Sequence, residues 1–310
     1  MQYGFGVDLG GTTAKLAFFE ETGTILEKWE IPTDTDDHGS NILPDISASI
    51  LDYIREKNIS RQALLGIGIG VPGPVLQGGT VNGCVNLGWG VKDVRKELEN
   101  LTQLPVQVDN DASLATLGEA WMGSGRGCKD LIMITLGTGV GSGILLNGKL
   151  LSGAYGAAGE IGHIILNPNE ETDCAGGRGC AEQYCSATGI VNTAKKLLAA
   201  DPEASALRKE TELTCKAVFD AANDGDPLAN RVLEQTYDRL GQLIAGVCCV
   251  VNPRRVVLGG GVSKAGQPLI DGVRAAFHRH AFPPTTPVEF VLAQLGNDAG
   301  AYGAFRLLLP

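Results

Sequence analysis

The sequence DLGGTT occupies residues 8–13 and follows a mostly apolar stretch that begins at Tyr3. The carboxylate of Asp8 therefore lies at the end of this stretch. Two glycines and two threonines then predict a tight turn into a second strand. Backbone N–H groups and hydroxyls of such a turn can donate to phosphate oxygens, and the carboxylate can hold a hydrated Mg²⁺. We therefore predict a phosphate-binding turn, with an ordinary glycine-rich hairpin as the alternative. The predicted contacts are Asp8, Gly10, Gly11, Thr12 and Thr13.

A similar pattern, TLGTGVGSG, occupies residues 135–143 after the predicted strand 131–136. A dinucleotide-binding fingerprint would open a helix, but these glycines precede a second predicted strand, 142–146, and no Gly-Lys-Ser or Gly-Lys-Thr occurs. Aligning Asp8 with Thr135 superimposes the two patterns, which suggests a duplication with one copy per lobe. Paired hairpin turns point to the actin-like fold, in which ATP lies between duplicated halves. The predicted contacts of the second turn are Gly137, Thr138 and Gly139.

A third glycine cluster follows the predicted strand 255–258 and precedes the predicted helix 266–280. Three consecutive glycines cost much conformational entropy, so they indicate a place where the backbone approaches something closely. We predict that this cluster lies against the adenosine of a nucleotide, with a tight packing crossover as the alternative. Its members are Gly259, Gly260 and Gly261.

The composition of the chain limits its class. It has 310 residues, of which 44% are hydrophobic and 19% are charged, and this predicts two compact lobes rather than disorder. The formal net charge of −10, without a long basic run, argues against nucleic acid or an anionic membrane surface as a partner. Neither a signal peptide nor an apolar run long enough to span a membrane is visible, so we expect a cytoplasmic protein.

Two acids flank an amide at Asp109, Asn110 and Asp111, where the predicted strand 105–109 gives way to the predicted helix 112–122. One of these side chains could simply cap the helix. A kinase also needs a carboxylate that accepts the proton of the attacking hydroxyl as the γ-phosphoryl group transfers. With the phosphate turns in place, we favour this catalytic interpretation.

A second polar pair occurs in the sequence GEIGH at residues 159–163. Glu160 and His163 are three residues apart, which places them on one side of a helical turn. Carboxylates accept hydrogen bonds from sugar hydroxyls and discriminate between epimers, because a missing hydroxyl leaves a buried charge unpaired. We therefore predict a sugar-binding pair, although a single histidine is more often structural.

Taken together, these motifs resemble those of the ROK family of sugar kinases and repressors, and within it the glucokinases of Gram-positive bacteria. The resemblance covers nearly the whole chain. It rests on Gly6–Thr13, Lys28–Thr33, Val71–Val75, Asn86–Trp89, Asn110–Ala112, Leu136–Gly143, Gly159–His163, Ser186–Gly189, Gly259–Ser263 and Gly296–Gly300.

The resemblance implies an α/β, actin-like (ribonuclease H-like) fold of two lobes with a duplicated βββαβα core. We expect residues 1–115 with 296–310 in one lobe and residues 116–295 in the other. It also implies that the protein transfers the γ-phosphoryl group of ATP to the 6-hydroxyl of glucose in a closing cleft, with Mg²⁺ on the phosphates and Asp111 as the catalytic base. The resemblance further implies a homodimer. The residues it assigns to the sugar site are Gly73, Asn86, Asn110, Asp111, Glu160, His163 and Glu182.

Two other functions remain open. The first is a kinase for another hexose, such as N-acetylglucosamine, N-acetylmannosamine or fructose. The second is a non-catalytic, sugar-sensing regulator of the same family. Such regulators carry a DNA-binding domain before the kinase-like part, and the first predicted strand begins within a few residues of Met1, so we expect none here.

The chain departs from the family at its zinc motif, Cys-x-Cys-Gly-x-x-Gly-Cys, which is completed by the histidine of the GEIGH run. Residues 174–180 are CAGGRGC, so the middle cysteine is missing. Zn²⁺ would keep three ligands, His163, Cys174 and Cys180, where a structural site needs four. Cys185 or Asp173 could supply the fourth, or the loop has lost its metal. We otherwise expect the eight cysteines to be thiols.

Overall fold

The computed structural model of the chain describes residues 1–170, 172–174 and 177–310. These residues form two compact units. The first unit comprises Met1–Lys129, Gly143–Gly159 and Gln294–Pro310, and the second comprises Asp130–Ser142 and Glu160–Ala293. The first unit therefore includes residues 116–129 and 143–159, which the sequence prediction assigns to the other lobe.

Strands occur in both units. They are β1 (Tyr3–Leu9), β2 (Thr13–Glu20), β3 (Ile25–Pro32), β4 (Leu64–Val71), β5 (Val75–Leu76), β6 (Thr80–Cys84), β7 (Trp89–Asp93), β8 (Val106–Asn110), β9 (Leu131–Leu136), β10 (Val140–Leu146), β11 (Lys149–Leu150), β12 (Asp173–Cys174), β13 (Gly177–Arg178), β14 (Arg255–Gly259) and β15 (Glu289–Leu292).

Helices connect and cover these strands. They are α1 (Asp36–Gly39), α2 (Ile42–Glu56), α3 (Val94–Thr102), α4 (Asp111–Met122), α5 (Glu182–Cys185), α6 (Ala187–Ala200), α7 (Cys215–Asn223), α8 (Pro227–Val251), α9 (Gln267–His280) and α10 (Ala299–Arg306). None of the helices in the described part of the chain is both long and apolar enough to cross a membrane.

The first five-stranded sheet has the order β3-β2-β1-β4-β8. β1 pairs antiparallel with β2 and parallel with β4, and β4 pairs parallel with β8. Because parallel strands end at the same edge of a sheet, the ends of β1, β4 and β8 lie together. Asp8 is in register with Gly70, and Gly70 with Asp109, so this edge collects the predicted catalytic segment.

The second five-stranded sheet has the order β11-β10-β9-β14-β15, which repeats the order of the first sheet element by element. β14 pairs parallel with both β9 and β15, as β4 does with β1 and β8. The duplication predicted from the two glycine turns is confirmed, and so is the duplicated α/β fold class.

A buried apolar cluster supports the first sheet. Phe5 of β1, Ile67 of β4, and Ile46 and Ile50 of α2 belong to it, each with no exposed surface. Apolar residues at the helical spacing of α2 meet the alternating apolar residues of the strands, which is how an amphipathic helix covers a sheet. This packing buries one face of the first sheet.

The close packing of α4 on α10 assigns α4 to the first unit. Gly118 of α4 faces α10, because a Cβ added there would lie 3.0 Å from the backbone nitrogen of Gly303. A Cβ at Gly303 would overlap the carbonyl group of Leu114. Two helices approach this closely only where one of them carries no side chain, so the two glycines fix the pair.

The prediction of a helical stretch over residues 182–200 is wrong at Ser186. Its backbone is extended, with ψ 166°, and its hydroxyl accepts a hydrogen bond from Gly189 N at 3.0 Å. Serine is a preferred N-cap because its hydroxyl satisfies an N–H group of the first turn. The chain therefore forms α5, turns at Ser186 and starts α6.

Candidate active site

The first glycine turn is closed by its own backbone. Gly10 N donates to Thr13 O at 3.0 Å, and Thr33 N donates to Thr12 O at 2.9 Å from the neighbouring strand. Gly11 and Thr12 remain exposed. A Cβ at Gly11 would lie 3.8 Å from the carbonyl oxygen of Asn86, so Asn86 borders this turn. The turn therefore presents accessible N–H and hydroxyl groups of the kind that bind phosphate.

Asp8 lies beneath this turn in a confined position. A Cβ at Gly300 would come within 2.6 Å of Asp8 Cγ, so only glycine fits on that side. Lys15 lies directly opposite Asp8 in the β1–β2 pair. Burial raises the pKa of Asp8 above its ordinary value, and the positive charge of Lys15 offsets part of that effect. Lys15 therefore stabilises the carboxylate next to the predicted phosphate-binding groups.

The helix that begins at Asp111 is capped by Asn110. Asn110 Oδ1 accepts from Ser113 N at 3.1 Å, which makes Asn110 the N-cap. Its amide Nδ2 donates to Asp111 Oδ1 at 3.0 Å and to the carbonyl of Gly73 at 3.2 Å. Asp111 Oδ1 also accepts from Ala112 N at 2.8 Å. The capping role therefore belongs to Asn110, and the Asp111 carboxylate is oriented by two donors.

Gly73 brings a loop against this cluster. Its φ of 92° lies in the region that favours glycine, and a Cβ would come within 2.8 Å of the Gly83 carbonyl. The neighbouring Cys84 thiol has its pKa raised by burial and, to a smaller extent, by the charge of Asp111. The pKa of Asp109 is also raised by burial. The first unit thus gathers Gly73, Asn110 and Asp111 into one polar cluster.

The second glycine turn is also closed by its own backbone. Gly137 N donates to Gly139 O at 3.0 Å. Glu182 Oε2 accepts from Val140 N at 3.0 Å, and a Cβ at Gly139 would overlap the Glu182 carboxylate. Glu182, a predicted sugar ligand, therefore also supports the backbone of the predicted phosphate turn.

The third glycine cluster lies beside the second turn. Gly259 is in register with Thr135 in the parallel pair of β14 and β9. Gly260 has a φ of 80°, and a Cβ there would come within 2.5 Å of Leu136 O. Added Cβ atoms at Gly137 and Gly261 would meet nothing within 4 Å. The two loops therefore form an open backbone surface, as a nucleotide-binding site requires.

Glu160 and His163 lie together in the second unit. A short helical turn, Ile161–His163, follows Glu160, and Glu160 Oε2 lies 3.8 Å from His163 Nε2. Both side chains are more than two-fifths exposed. The two side chains lie close together, but Glu160 precedes the turn, which is of the 3-10 type.

Comparison with known proteins decides the family. Residues 4–310 match the sequence model described as the ROK family. The chain belongs to the ROK family. It is 43% identical to a glucokinase of Halalkalibacterium halodurans, over 96% of this chain and 92% of that protein. A glucokinase of Thermotoga maritima is 33% identical over 98% of this chain and 96% of that protein.

A solved ROK structure shares the fold closely. It is the ROK family glucokinase of Streptomyces griseus in complex with glucose and AMPPNP, which is 33% identical to this chain. The match has a TM-score of 0.80 and covers 98% of each chain. The structure and this neighbour together confirm the actin-like fold expected from the sequence.

The cysteine loop of this ROK chain does not fit a four-ligand zinc site. The structure places Cys174 and Cys180 close together, with their Cα atoms 6.6 Å apart. Asp173 Oδ1 accepts from Arg178 Nε at 2.6 Å, and Cys185 is buried. Among the described residues, no three His, Cys, Asp or Glu side chains are placed to hold a metal. Ala175 and Gly176, next to the missing cysteine, lie outside them.

We expect purified protein to contain less than about 0.2 zinc per chain, because a structural zinc site requires four ligands that converge. Metal analysis after expression with added zinc tests this, and a Cys174→Ser variant should contain as little zinc as the natural chain. One zinc per chain, lost in Cys174→Ser, would show that the loop binds zinc.

Two charged residues of the first unit escaped sequence analysis, namely Lys15 and Glu119. The register of the first hairpin, which places Lys15 opposite Asp8, could have identified the first. Glu119 is the one charged residue between Ala112 and Met122. An isolated charge in an otherwise apolar helix indicates a buried, hydrogen-bonded side chain, so this pattern could have identified Glu119.

Proposed function

We propose that this chain is an ATP-dependent glucokinase, which converts glucose and ATP to glucose 6-phosphate and ADP. The observation that carries the proposal is the Asp111 cluster, in which a helix-starting carboxylate is oriented by Asn110 at the sheet edge that also carries Asp8. The relatedness to glucokinases over nearly the whole chain supports glucose as the acceptor.

Asp111 acts as the general base. As the bond between the γ-phosphorus and the β–γ bridging oxygen breaks, the 6-hydroxyl oxygen of glucose bonds to that phosphorus. Asp111 takes the proton of the hydroxyl, and ADP leaves. Asn110 Nδ2 and Ala112 N both donate to Asp111 Oδ1, and these two hydrogen bonds limit the rotation of the carboxylate. A base whose orientation is fixed in advance loses little freedom when the transition state forms.

The glycine turns bind the nucleotide. N–H and hydroxyl groups of residues 10–13 and 137–139 bind the phosphates, and Gly259, Gly260 and Gly261 lie against the adenosine. Asp8 fits a Mg²⁺ that arrives with ATP, because Mg²⁺ keeps most of its water and needs only one or two carboxylates besides the phosphates. When bound, the ion neutralises charge on the transferring phosphoryl group.

The sugar is held by Asn110, Glu160, His163 and Glu182, with Gly73 and Asn86 at the border. Carboxylates give the strongest discrimination because a sugar that lacks the matching hydroxyl leaves a charge unpaired. The exposure of Glu160 and His163 leaves both able to reach a ligand.

A coupled assay of ADP release over a panel of hexoses tests the substrate. We expect kcat/KM for glucose to exceed that for N-acetylglucosamine, N-acetylmannosamine and fructose by about tenfold or more. A preference for one of the other sugars would reassign the substrate within the same reaction. Glucose binding without ADP release would instead support a sugar-sensing regulator.

Two further expectations belong to this proposal. They are that the protein works in the cytoplasm, as the sequence analysis suggests, and that it forms a homodimer, as the family resemblance implies.

A further inference from the structure

Glu119 is unusual because it carries a charge in the interior. It lies near the end of α4 and has no exposed surface, and among the described residues it is the one charged residue that is fully buried. Burying a carboxylate costs free energy unless hydrogen bonds replace its water. Such a residue in an otherwise apolar stretch therefore needs an explanation beyond packing.

Four donors surround this carboxylate. Oε1 accepts from Gln294 N at 2.8 Å and from Leu295 N at 2.7 Å. Oε2 accepts from Ser124 N at 2.8 Å and from Ser124 Oγ at 3.0 Å. An ionised carboxylate offers acceptors only, so it suits a site at which every neighbour is a donor.

The donors come from two separate segments of the chain. One segment follows α4, where Gly123 N and Gly125 N also donate to the Glu119 backbone carbonyl, at 3.1 and 2.9 Å. The other is Gln294–Leu295, at which the chain re-enters the first unit after β15. Glu119 therefore ties the end of α4 to the start of the last segment of the chain.

Gly123 leaves room for this arrangement. A Cβ at position 123 would overlap Glu119 Oε2, although the φ of −109° at this residue suits any amino acid. The requirement for glycine here comes from the carboxylate and not from the backbone. This observation is independent of the hydrogen bonds and also indicates that the Glu119 carboxylate has one fixed position.

Both segments lead to residues of the proposed active site. Eight residues before Glu119, α4 begins at Asp111, and a helix transmits a displacement along its axis as a rigid rod. Gln294–Leu295 precede α10, whose Gly300 lies against the Asp8 carboxylate. A shift at Glu119 would therefore move Asp111 relative to Asp8.

We propose that Glu119 is a positioning residue for phosphoryl transfer, because it fixes α4 to Gln294–Leu295 and thereby sets the placement of Asp111 relative to Asp8. The inference depends on the proposed function, since it concerns the rate of that reaction. It assigns Glu119 no contact with either substrate.

The first test is Glu119→Gln, which keeps the shape but places an NH₂ group against donors. We expect kcat to fall by about tenfold or more, while the Kd for glucose, measured by titration without ATP, stays within about twofold. Gly123→Ala should lower kcat in the same way, and the double variant should be no worse than the poorer single variant.

Two controls separate positioning from stability. Ile50→Val removes a buried methylene from the first unit and should lower the Tm while leaving kcat unchanged. Ser124→Ala removes one of the four donors and should have a small effect. The two variants are compared by their loss of Tm and their loss of kcat. If Ile50→Val loses as much Tm as Glu119→Gln and its kcat falls equally, Glu119 affects turnover only through stability and has no positioning role.

A third measurement does not depend on turnover. Hydrogen exchange of Gln294 N and Leu295 N should speed up in Glu119→Gln, and so should exchange at the start of α4. Unchanged exchange at 294–295, or faster exchange with unchanged kcat, overturns the positioning role. Natural protein that phosphorylates no sugar refutes the proposed function itself, which is a different outcome.

Discussion

Replacing Asp111 by asparagine is expected to lower kcat by about a thousandfold while the protein still folds and binds glucose. The amide oxygen of asparagine can accept the same hydrogen bonds from Asn110 Nδ2 and Ala112 N, so the local structure should persist. An amide cannot accept the hydroxyl proton at neutral pH, so the base is lost. Steady-state kinetics with glucose and ATP, together with a glucose Kd, measure both effects.

Asp109→Asn is the matched control for this prediction. Asp109 is a second carboxylate two residues away, and its Oδ1 accepts from Asn110 N at 2.8 Å, which an amide oxygen can replace. We expect this variant to keep most of its turnover. A large loss in Asp109→Asn with near-normal turnover in Asp111→Asn would move the base assignment to Asp109.

Gly303→Ala is expected to lower the free energy of unfolding by about 3 kcal/mol. The added Cβ would overlap the carbonyl group of Leu114 and lie 2.9 Å from its Cα. Since these are backbone atoms, α4 and α10 would have to move apart, which a rotamer change cannot avoid. Denaturant unfolding monitored by tryptophan fluorescence measures the loss.

The control is Gly246→Ala, at an exposed helical glycine of α8 where an added Cβ meets nothing within 4 Å. Alanine has a higher helix propensity than glycine, so this change should stabilise the protein by up to about 1 kcal/mol. Opposite signs for the two substitutions would support the packing argument. A Gly303→Ala variant as stable as the natural chain would mean that α4 and α10 do not pack this closely.

The sequence predicted those elements whose structure depends on local pattern. The strand predicted over residues 3–8 is Tyr3–Leu9, and the helix predicted over residues 41–57 is Ile42–Glu56, because their apolar periodicity matches the faces that become buried. The duplication could be predicted because a glycine turn between two strands occurs twice, once between β1 and β2 and once between β9 and β10.

Features that depend on distant contacts were not predictable from the pattern. The antiparallel sheet of β5, β6 and β7 is short and rich in glycine, so it lacks a periodic signal. The break at Ser186 depends on one capping hydrogen bond. The partners of Glu119 lie as far away as Gln294, which no local rule could identify. Within the predicted site, the sequence indicated that one of residues 109–111 could cap the helix but not that the cap is Asn110.

The hydrogen bond from Val140 N to the Glu182 carboxylate has a thermodynamic consequence. Under the proposed function, a saccharide hydroxyl that donates to the other oxygen of this carboxylate would hold Glu182 in place against the loop proposed to accept the nucleotide. The two ligands are then linked, so each changes the affinity of the other by the same factor. One side chain of the proposed sugar site would thereby couple the binding of the two reactants.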